Sequence, residues 1–245
     1  MRIAWCLRGQ PRDVEAGHAI IRSFINKHPS ITFDFYCHTW FHPDPNHIYA
    51  VSTYRRLGNV RQDIDVIGKI EHLYKPVKHS IDAPKDFDIE PRMASKAIQN
   101  IRNRNILNLK NTTSNLYSQT QVRNVLYENM KSSYDFVISS RYDIYKEITL
   151  DLHTLEKDKM YCSSALYPRK CFVENLYIMP PSIFFDVCSI YSILDKLVDN
   201  SDIIAKLQAT REELAYTPEI LMTACLYYFN YMEHVVYSRG IPYFV

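Results

Sequence analysis

The chain has 245 residues, of which 47% are hydrophobic and 13% aromatic, so it can bury a sizeable core and belongs to the globular class. Its 29 basic residues against 27 acidic residues give a formal net charge of +2, which excludes a strong overall attraction to nucleic acid or to an anionic membrane. Any phosphate-binding site must therefore be a local feature.

Cysteine usage and apolar run lengths predict a protein of the reducing cytoplasm with no transmembrane segment. The six cysteines are scattered without a CxxC pair, as is typical of free thiols in apolar surroundings. No stretch approaches the about 18 to 20 apolar residues that a spanning helix needs, and the N-terminal apolar run is too short for a signal peptide. The five glycines also argue against a glycine-built phosphate loop.

The first part of the chain alternates strand and helix patterns. RIAWCL at residues 2–7 is a short apolar strand, a helical pattern runs from 14 to 27, and the β-branched and aromatic residues 31–40 form a second strand. A helix at 64–73 and a third strand in PVKHSIDAP follow. This alternation predicts a parallel sheet.

The second part is more irregular. Residues 92–114 are basic and rich in asparagine, which predicts a solvated helix followed by a mobile loop that closes over a ligand. A helical pattern at 115–132 leads into the strand YDFVISS. Further strands are predicted at KMYCSS, NLYIM and HVVYS, and apolar helices at 182–198 and 218–231. The fold class is α/β, a Rossmann-type sandwich of helices around a mostly parallel twisted sheet, in one domain over residues 1–245.

Polar residues follow three of the predicted strands. Ligands of α/β sheets bind at the carboxyl ends of the strands, so we expect these clusters to converge at one edge. The residues are Arg8, Gly9, Gln10 and Arg12 after the first strand, His38, Thr39 and Trp40 at the end of the second, and Arg141 and Asp143 after YDFVISS.

The spacing of Arg141 and Asp143 allows two interpretations. Side chains alternate along a strand, so Ser139, Arg141 and Asp143 share one face. A solvent-facing carboxylate there suits a hard divalent cation that completes its shell with substrate phosphates, while the arginine takes a phosphate oxygen. The alternative is a surface ion pair of little consequence.

The other two clusters also have a functional and a structural interpretation. Arg8 and Arg12 flank a turn that opens a helix and suits an anion, but an ordinary basic loop has the same composition. His38 and Trp40 suit a base or sugar, and they equally suit a core.

Several motifs occur together in order: IAWCLRGQPR, DFYCHTW, KPVKHSIDAP, YDFVISSRYDI, ENLYIMPP and TPEILMTACLYYF. Together they resemble the GT-A-type glycosyltransferases of bacterial capsule and lipopolysaccharide loci and of large DNA viruses. The pattern of that family is a G-x-x-R first turn, an F-x-x-H-T-W second strand and an R-x-R-x-D-[IL] strand. The resemblance spans most of the chain, and Ser139 stands where the family strand has its first arginine.

The resemblance implies a metal-dependent enzyme that moves a sugar from a UDP- or GDP-sugar to a glycan or other hydroxyl acceptor. It implies that Asp143 binds Mn²⁺ or Mg²⁺ against the donor diphosphate, that the N-terminal half binds the donor, and that the C-terminal half faces the acceptor. A viral origin would place the enzyme in the host cytoplasm. If transfer inverts the anomeric centre, a carboxylate must take the acceptor proton, and the candidates are Glu174, Glu213 and Glu219. Glu219 also suits a plain helix start after Pro218.

Two other classes stay open. The basic segment motivates a nucleic-acid-binding protein through Arg92, Lys96, Arg102, Arg104 and Lys110, although it holds no aromatic residue to stack on bases. A non-catalytic α/β interaction module would have the same fold. The donor sugar, the base, the acceptor, the stereochemical outcome and the oligomeric state are left undecided by the sequence.

Overall fold

A computed structural model of the chain describes residues 1–44, 46–49, 60–87, 106–130, 132–165, 171–209 and 217–242. Its strands are β1 (Arg2–Gly9), β2 (Thr32–Trp40), β3 (Ile48–Tyr49), β4 (Val60–Arg61), β5 (Lys78–Asp82), β6 (Phe136–Arg141), β7 (Met160–Ser163), β8 (Leu176–Met179) and β9 (Val235–Ser238). Its α-helices are α1 (Val14–Asn26), α2 (Val66–Tyr74), α3 (Ile106–Asn129), α4 (Pro181–Val187), α5 (Leu194–Val198), α6 (Ser201–Gln208) and α7 (Pro218–Tyr228).

Within the described residues, seven strands form one mixed sheet in the order β5-β2-β1-β6-β8-β7-β9. The first four are parallel to one another, β8 is antiparallel to both β6 and β7, and β7 is parallel to β9. The predicted α/β class and the parallel pairing of the strands at 2–7, 31–40 and 134–140 are confirmed. In register, Arg8 of β1 lies opposite His38 of β2 and Arg141 of β6.

Side-chain alternation along β1, β2 and β6 divides the core into two layers. Ala4, Cys6 and Val137 face the layer that holds α3, α4 and α7. On the opposite face, Trp5 and Ile138 pack with the apolar sides of α1 and α2. The sheet is therefore covered on both faces, which is why its central strands are apolar throughout.

The long helix α3 corrects the prediction for residues 92–114. Residues 92–105 lie outside the described part of the chain, but Ile106 to Asn129 form one helix, so the loop expected before residue 115 is wrong there. Thr112 and Thr113 are buried, and the helix packs against β1, β2 and β5. Its buried face carries small polar side chains, so hydropathy alone underestimates how much of it the fold covers.

The predicted apolar helix over 182–198 is also corrected. The chain forms α4, a 3₁₀ turn at Ile190–Ile193 and then α5. At the break, the Ser189 hydroxyl donates to the carbonyl of Asp186 at 2.6 Å, and such local bonds compete with helix continuation. The helix predicted at 218–231 ends at Tyr228, and α6 was not predicted. No helix among the described residues is long and apolar enough to cross a bilayer.

Close packing of α1 sets the position of the residues that precede it. A Cβ atom at Gly17 would lie 1.8 Å from the carbonyl oxygen of Tyr142, the residue that follows β6. Only glycine permits this approach, because the neighbouring atom belongs to the backbone and has little freedom to move. The start of α1, with Arg12 just before it, is thereby held against the end of β6.

We expect Gly17→Ala to lower the free energy of unfolding by about 2 kcal/mol or more, since the added methyl group must push α1 off the chain that follows β6. Gly68→Ala in α2 is the matched control: its Cβ would meet the flexible Asp65 side chain at 2.9 Å, and alanine favours helix by up to about 1 kcal/mol. Chemical denaturation of both variants measures the difference. Equal stability of the two would contradict the close-packing argument.

Candidate functional site

Asp143 lies at the carboxyl edge of the parallel strands, where two arginines contact its carboxylate. The Arg141 Nε donates to Asp143 Oδ1 at 2.9 Å, and the Arg141 Nη2 donates to Oδ2 at 2.7 Å. The Arg12 Nη2 lies 3.2 Å from the same Oδ2. The Asp143 side chain is only 3% exposed. The solvent-facing carboxylate expected from the sequence is therefore wrong: the ion-pair interpretation is correct in its partners, but the pair is not a surface one.

Arg8 and Glu174 form a second, fully buried ion pair beside the first. Arg8 Nη2 donates to Glu174 Oε2 at 2.8 Å and also to the Glu174 carbonyl oxygen. Its Nε donates to Ser139 Oγ at 3.2 Å and its Nη1 to Asn115 Oδ1 at 3.0 Å. The side chains of Arg8 and Glu174 are 1% and 4% exposed. Arg8 thus ties β1 to β6, to α3 and to the segment that enters β8.

Glu219 completes the group of carboxylates from the first turn of α7. It is partly buried, and Thr217 is the N-cap residue whose hydroxyl accepts from the Ile220 amide. Burial, together with the negative charge of Glu174, raises the pKa of Glu219, although the Thr217 side chain and Arg141 act in the opposite direction. A carboxyl group with a raised pKa is the better proton acceptor near neutral pH.

Glu219 should make the stability of the fold depend on pH. Because its pKa is raised in the folded state, the folded chain holds this proton more tightly, and the resulting stabilisation is lost as pH rises above the usual glutamate value of 4.5. Between pH 5 and pH 8, we expect the melting temperature of Glu219→Gln to fall by less than that of the wild type. Glu233→Gln, whose side chain is 83% exposed, is the control. Parallel melting profiles for the wild type and Glu219→Gln would contradict the assignment.

His38 belongs to a buried hydrogen-bonded chain at the end of β2. Its Nδ1 lies 2.6 Å from Ser118 Oγ of α3, and its Nε2 lies 3.4 Å from Asp82 Oδ2 at the end of β5. Burial lowers the pKa of His38, so the ring is neutral at pH 7. A neutral ring that donates from Nε2 to Asp82 accepts at Nδ1 from the Ser118 hydroxyl. Because Ser118 and His38 are fully buried, this chain positions Asp82.

Asp82 and Tyr117 are the partly exposed members of this region, and the sequence analysis missed both. The Tyr117 hydroxyl donates to Asp82 Oδ2 at 3.0 Å. The His38 hydrogen bond, and after it Tyr117, lower the pKa of Asp82 to about 2 against the opposing effect of burial. The Tyr117 ring stacks on the buried Trp40 indole, with ring centroids 5.4 Å apart. The position of Asp82 at the end of the predicted strand in PVKHSIDAP is the sequence signal that could have identified it.

The remaining predicted site residues lie in different places relative to the carboxyl edge. Thr39 points to the other face of the sheet, where its hydroxyl lies 2.7 Å from the Tyr142 hydroxyl. Gly9 adopts a φ of 98°, which only glycine adopts readily, and the Gln10 carbonyl accepts from the Arg12 amide at 2.9 Å. Glu213 lies outside the described residues. The strand-end clusters thus converge at one edge, while His38, Thr39 and Trp40 lie beneath the surface.

The metal expected at Asp143 does not fit the described residues. Both Asp143 oxygens already accept N–H donors from guanidinium groups. Glu174 is likewise engaged by Arg8. In the part of the chain that the structure describes, no three His, Cys, Asp or Glu side chains come together as a cation site. The residues that the structure describes therefore provide no preformed metal site of the kind that the resemblance implies.

No protein-family model and no curated protein matches the chain. Among solved structures, the chain is similar to the galactosyltransferase LgtC in complex with donor and acceptor sugar analogs, at 12% sequence identity and a TM-score of 0.39, over 97% of this chain and 73% of that chain. It is also similar to an active-site mutant of LgtC at 12% identity and a TM-score of 0.37, over 97% of this chain and 72% of that chain. At these TM-scores, the likeness establishes no activity for this chain.

Proposed function

We propose that the chain is a glycosyltransferase that moves a sugar from a nucleotide-diphosphate donor to a hydroxyl group of a glycan or other acceptor. The observation that carries the proposal is the placement of Arg12, Arg141 and Asp82 at the carboxyl edge of the four parallel strands β5, β2, β1 and β6, with Glu219 near enough to Arg141 for the arginine charge to act on its carboxyl group. The sequence motifs that resemble GT-A-type glycosyltransferases supply the residues of this edge. Ligands of open α/β sheets bind at such an edge.

The donor side of the site belongs mainly to the N-terminal half of the chain. Arg12 and Arg141 provide planar sets of N–H donors that suit phosphate oxygens. The ionised Asp82 carboxylate suits the hydroxyl or N–H donors of a ribose or base. The Tyr117 ring beside it stacks on Trp40 and has the Lys85 ammonium 4.3 Å from its centroid, so Lys85 would have to move before a base could stack there. The site thus combines anion-binding and nucleoside-binding chemistry at the end of one sheet.

The acceptor side belongs to the C-terminal half, through Glu174 and Glu219. In the proposed reaction, the bond from the anomeric carbon to the donor phosphate breaks with its electron pair staying on the phosphate, and the acceptor oxygen forms the new bond. The acceptor proton needs a base if the centre is inverted. Of the two described candidates, Glu219 is the better base, since Glu174 is buried and bound by Arg8. Glu213 stays a candidate from the sequence alone.

The metal dependence implied by the resemblance is not part of the proposal, because the described residues do not offer the cation an open carboxylate pair. The binding experiment therefore compares samples that contain Mn²⁺, Mg²⁺ or EDTA.

The proposal predicts that a nucleotide-diphosphate raises the melting temperature of the purified chain. We expect UDP, GDP or one of their sugars at about 100 times its dissociation constant to stabilise the fold by about 2.7 kcal/mol, or roughly 5 to 10 °C for a chain of this size. Thermal shift with Mn²⁺, with Mg²⁺ and with EDTA measures it. Uridine and guanosine, which lack phosphate, serve as control ligands.

Release of UDP or GDP from the stabilising donor in the presence of acceptor sugars then tests transfer itself. Absence of a shift with every nucleotide under all three conditions would reject the proposal. Stabilisation by an oligonucleotide alone would support nucleic-acid binding. The basic residues that motivate that alternative lie outside the described part of the chain, except Lys110, which pairs with Asp86.

A further inference from the structure

Two arginines share one carboxylate at the candidate site. Within the triplet Arg12, Asp143 and Arg141, two guanidinium groups contact one carboxylate, and the more distant charges of Glu174 and Glu219 also act on Arg141. Both arginine side chains retain contact with solvent, at 10% and 22% exposure, whereas Asp143 is 3% exposed. The two arginine side chains are thus more accessible to solvent, and so to a ligand, than the carboxylate that they hold.

A divalent cation at Asp143 would have to enter against this arrangement. Mg²⁺ needs a near-octahedral oxygen shell at about 2.0 to 2.1 Å, so it would have to displace hydrogen bonds of 2.7 and 2.9 Å that both come from one guanidinium group. It would also lie close to a second positive group, because Arg12 Nη2 is 3.2 Å from Oδ2. Like charges at such separations disfavour binding.

A diphosphate has the opposite charge and so favours contact with the two arginines. It brings negative charge and acceptor oxygens, which guanidinium groups bind in bidentate fashion. Arg12 lies two residues before α1, whose position is set by the contact of Gly17 with the Tyr142 carbonyl. Arg141 is held by its contact with Asp143 and by its place at the end of β6. The two donors are therefore oriented before a ligand arrives, which reduces the entropic cost of binding.

We infer that the diphosphate of the donor is held and neutralised by Arg12 and Arg141, and that its binding does not require a divalent cation on Asp143. This inference rests on the proposed function, since it assigns the phosphate subsite of that same site. In it, Asp143 is a positioning residue that orients the two arginines and competes with the phosphate for them.

Calorimetric titration of the whole chain with pyrophosphate, UDP and GDP, each in EDTA and in Mn²⁺, tests the inference. We expect the preferred diphosphate to bind in EDTA within about threefold of its affinity in Mn²⁺. Arg141→Gln should weaken binding by about tenfold or more, since it removes one charge that meets the phosphate. Asp143→Asn should bind within about threefold of the wild type, because the loss of the contact that orients the arginines and the removal of the competing anion act in opposite directions. Arg22→Gln, an exposed position on α1, is the control.

The outcomes separate the inference from the proposed function. Binding that needs Mn²⁺, and that Asp143→Asn abolishes, would overturn the inference and leave the glycosyltransferase proposal in place. Absence of binding under both conditions would reject both. If Arg141→Gln fails to fold by circular dichroism, Arg12→Gln replaces it, and the wild-type comparison of EDTA with Mn²⁺ needs no variant.

Discussion

Replacement of Arg8 by methionine should lower the free energy of unfolding by about 3 to 5 kcal/mol. The reason is the charge that the substitution leaves behind. Glu174 would remain buried at 4% exposure without its cation, and the Ser139 and Asn115 side chains would lose a donor. Removing one partner of a buried pair is more costly than replacing both, because a lone buried charge has no compensation. A melting temperature lower by about 10 °C or more is expected for a chain of this length.

The double variant Arg8→Met/Glu174→Gln shows whether this mechanism is correct. It removes the stranded charge, so we expect it to regain a large part of the stability lost in the single variant. Arg2→Met is the matched control on the same strand: Arg2 also pairs with a carboxylate, that of Asp34, but its side chain is 42% exposed. Its melting temperature should stay close to that of the wild type. Equal effects at Arg2 and Arg8 would show that burial of the pair is not what matters.

Asp143→Asn should also destabilise the fold, by about 1 to 3 kcal/mol. Asparagine keeps the shape of the side chain but leaves Arg12 and Arg141 close together without their shared counter-charge. The loss should be smaller than that of Arg8→Met, because both arginines reach solvent and water compensates part of the charge. Urea denaturation of the variant beside Asp86→Asn, an exposed aspartate that pairs with Lys110, gives the comparison.

Anions provide a second measurement on the same variant. Pyrophosphate should raise the melting temperature of Asp143→Asn at least as much as that of the wild type, since it replaces the missing negative charge between the arginines. An unchanged stability of Asp143→Asn without ligand would mean that the ion pair contributes little to the fold, as the surface-pair interpretation of the sequence assumed.

Local sequence pattern was sufficient for the central sheet. The apolar runs of β1, β2 and β6, each followed by polar residues, predicted three parallel strands of one sheet with Arg8, Arg12 and Arg141 at the same edge, and the structure places these strands side by side. This works because side-chain period and chain direction are local properties, and parallel strands bring their carboxyl ends to the same edge. The same reasoning was less successful for α3. The burial of Thr112 and Thr113 depends on what packs against them, and a polar composition does not show this.

The sequence by itself determined the α/β class, the order of the central strands along the chain, and the placement of Arg8, Arg12 and Arg141 at or just after the ends of those strands. Only the tertiary structure decided how those side chains pair. It assigned Arg8 to Glu174, placed two arginines on Asp143 and brought Asp82 from β5 to Tyr117 of α3. These partners are separated by tens of residues in the chain, except Arg141 and Asp143. The choice between a solvated carboxylate and a buried ion pair depends on the charges and the burial that distant segments contribute, which no local pattern contains.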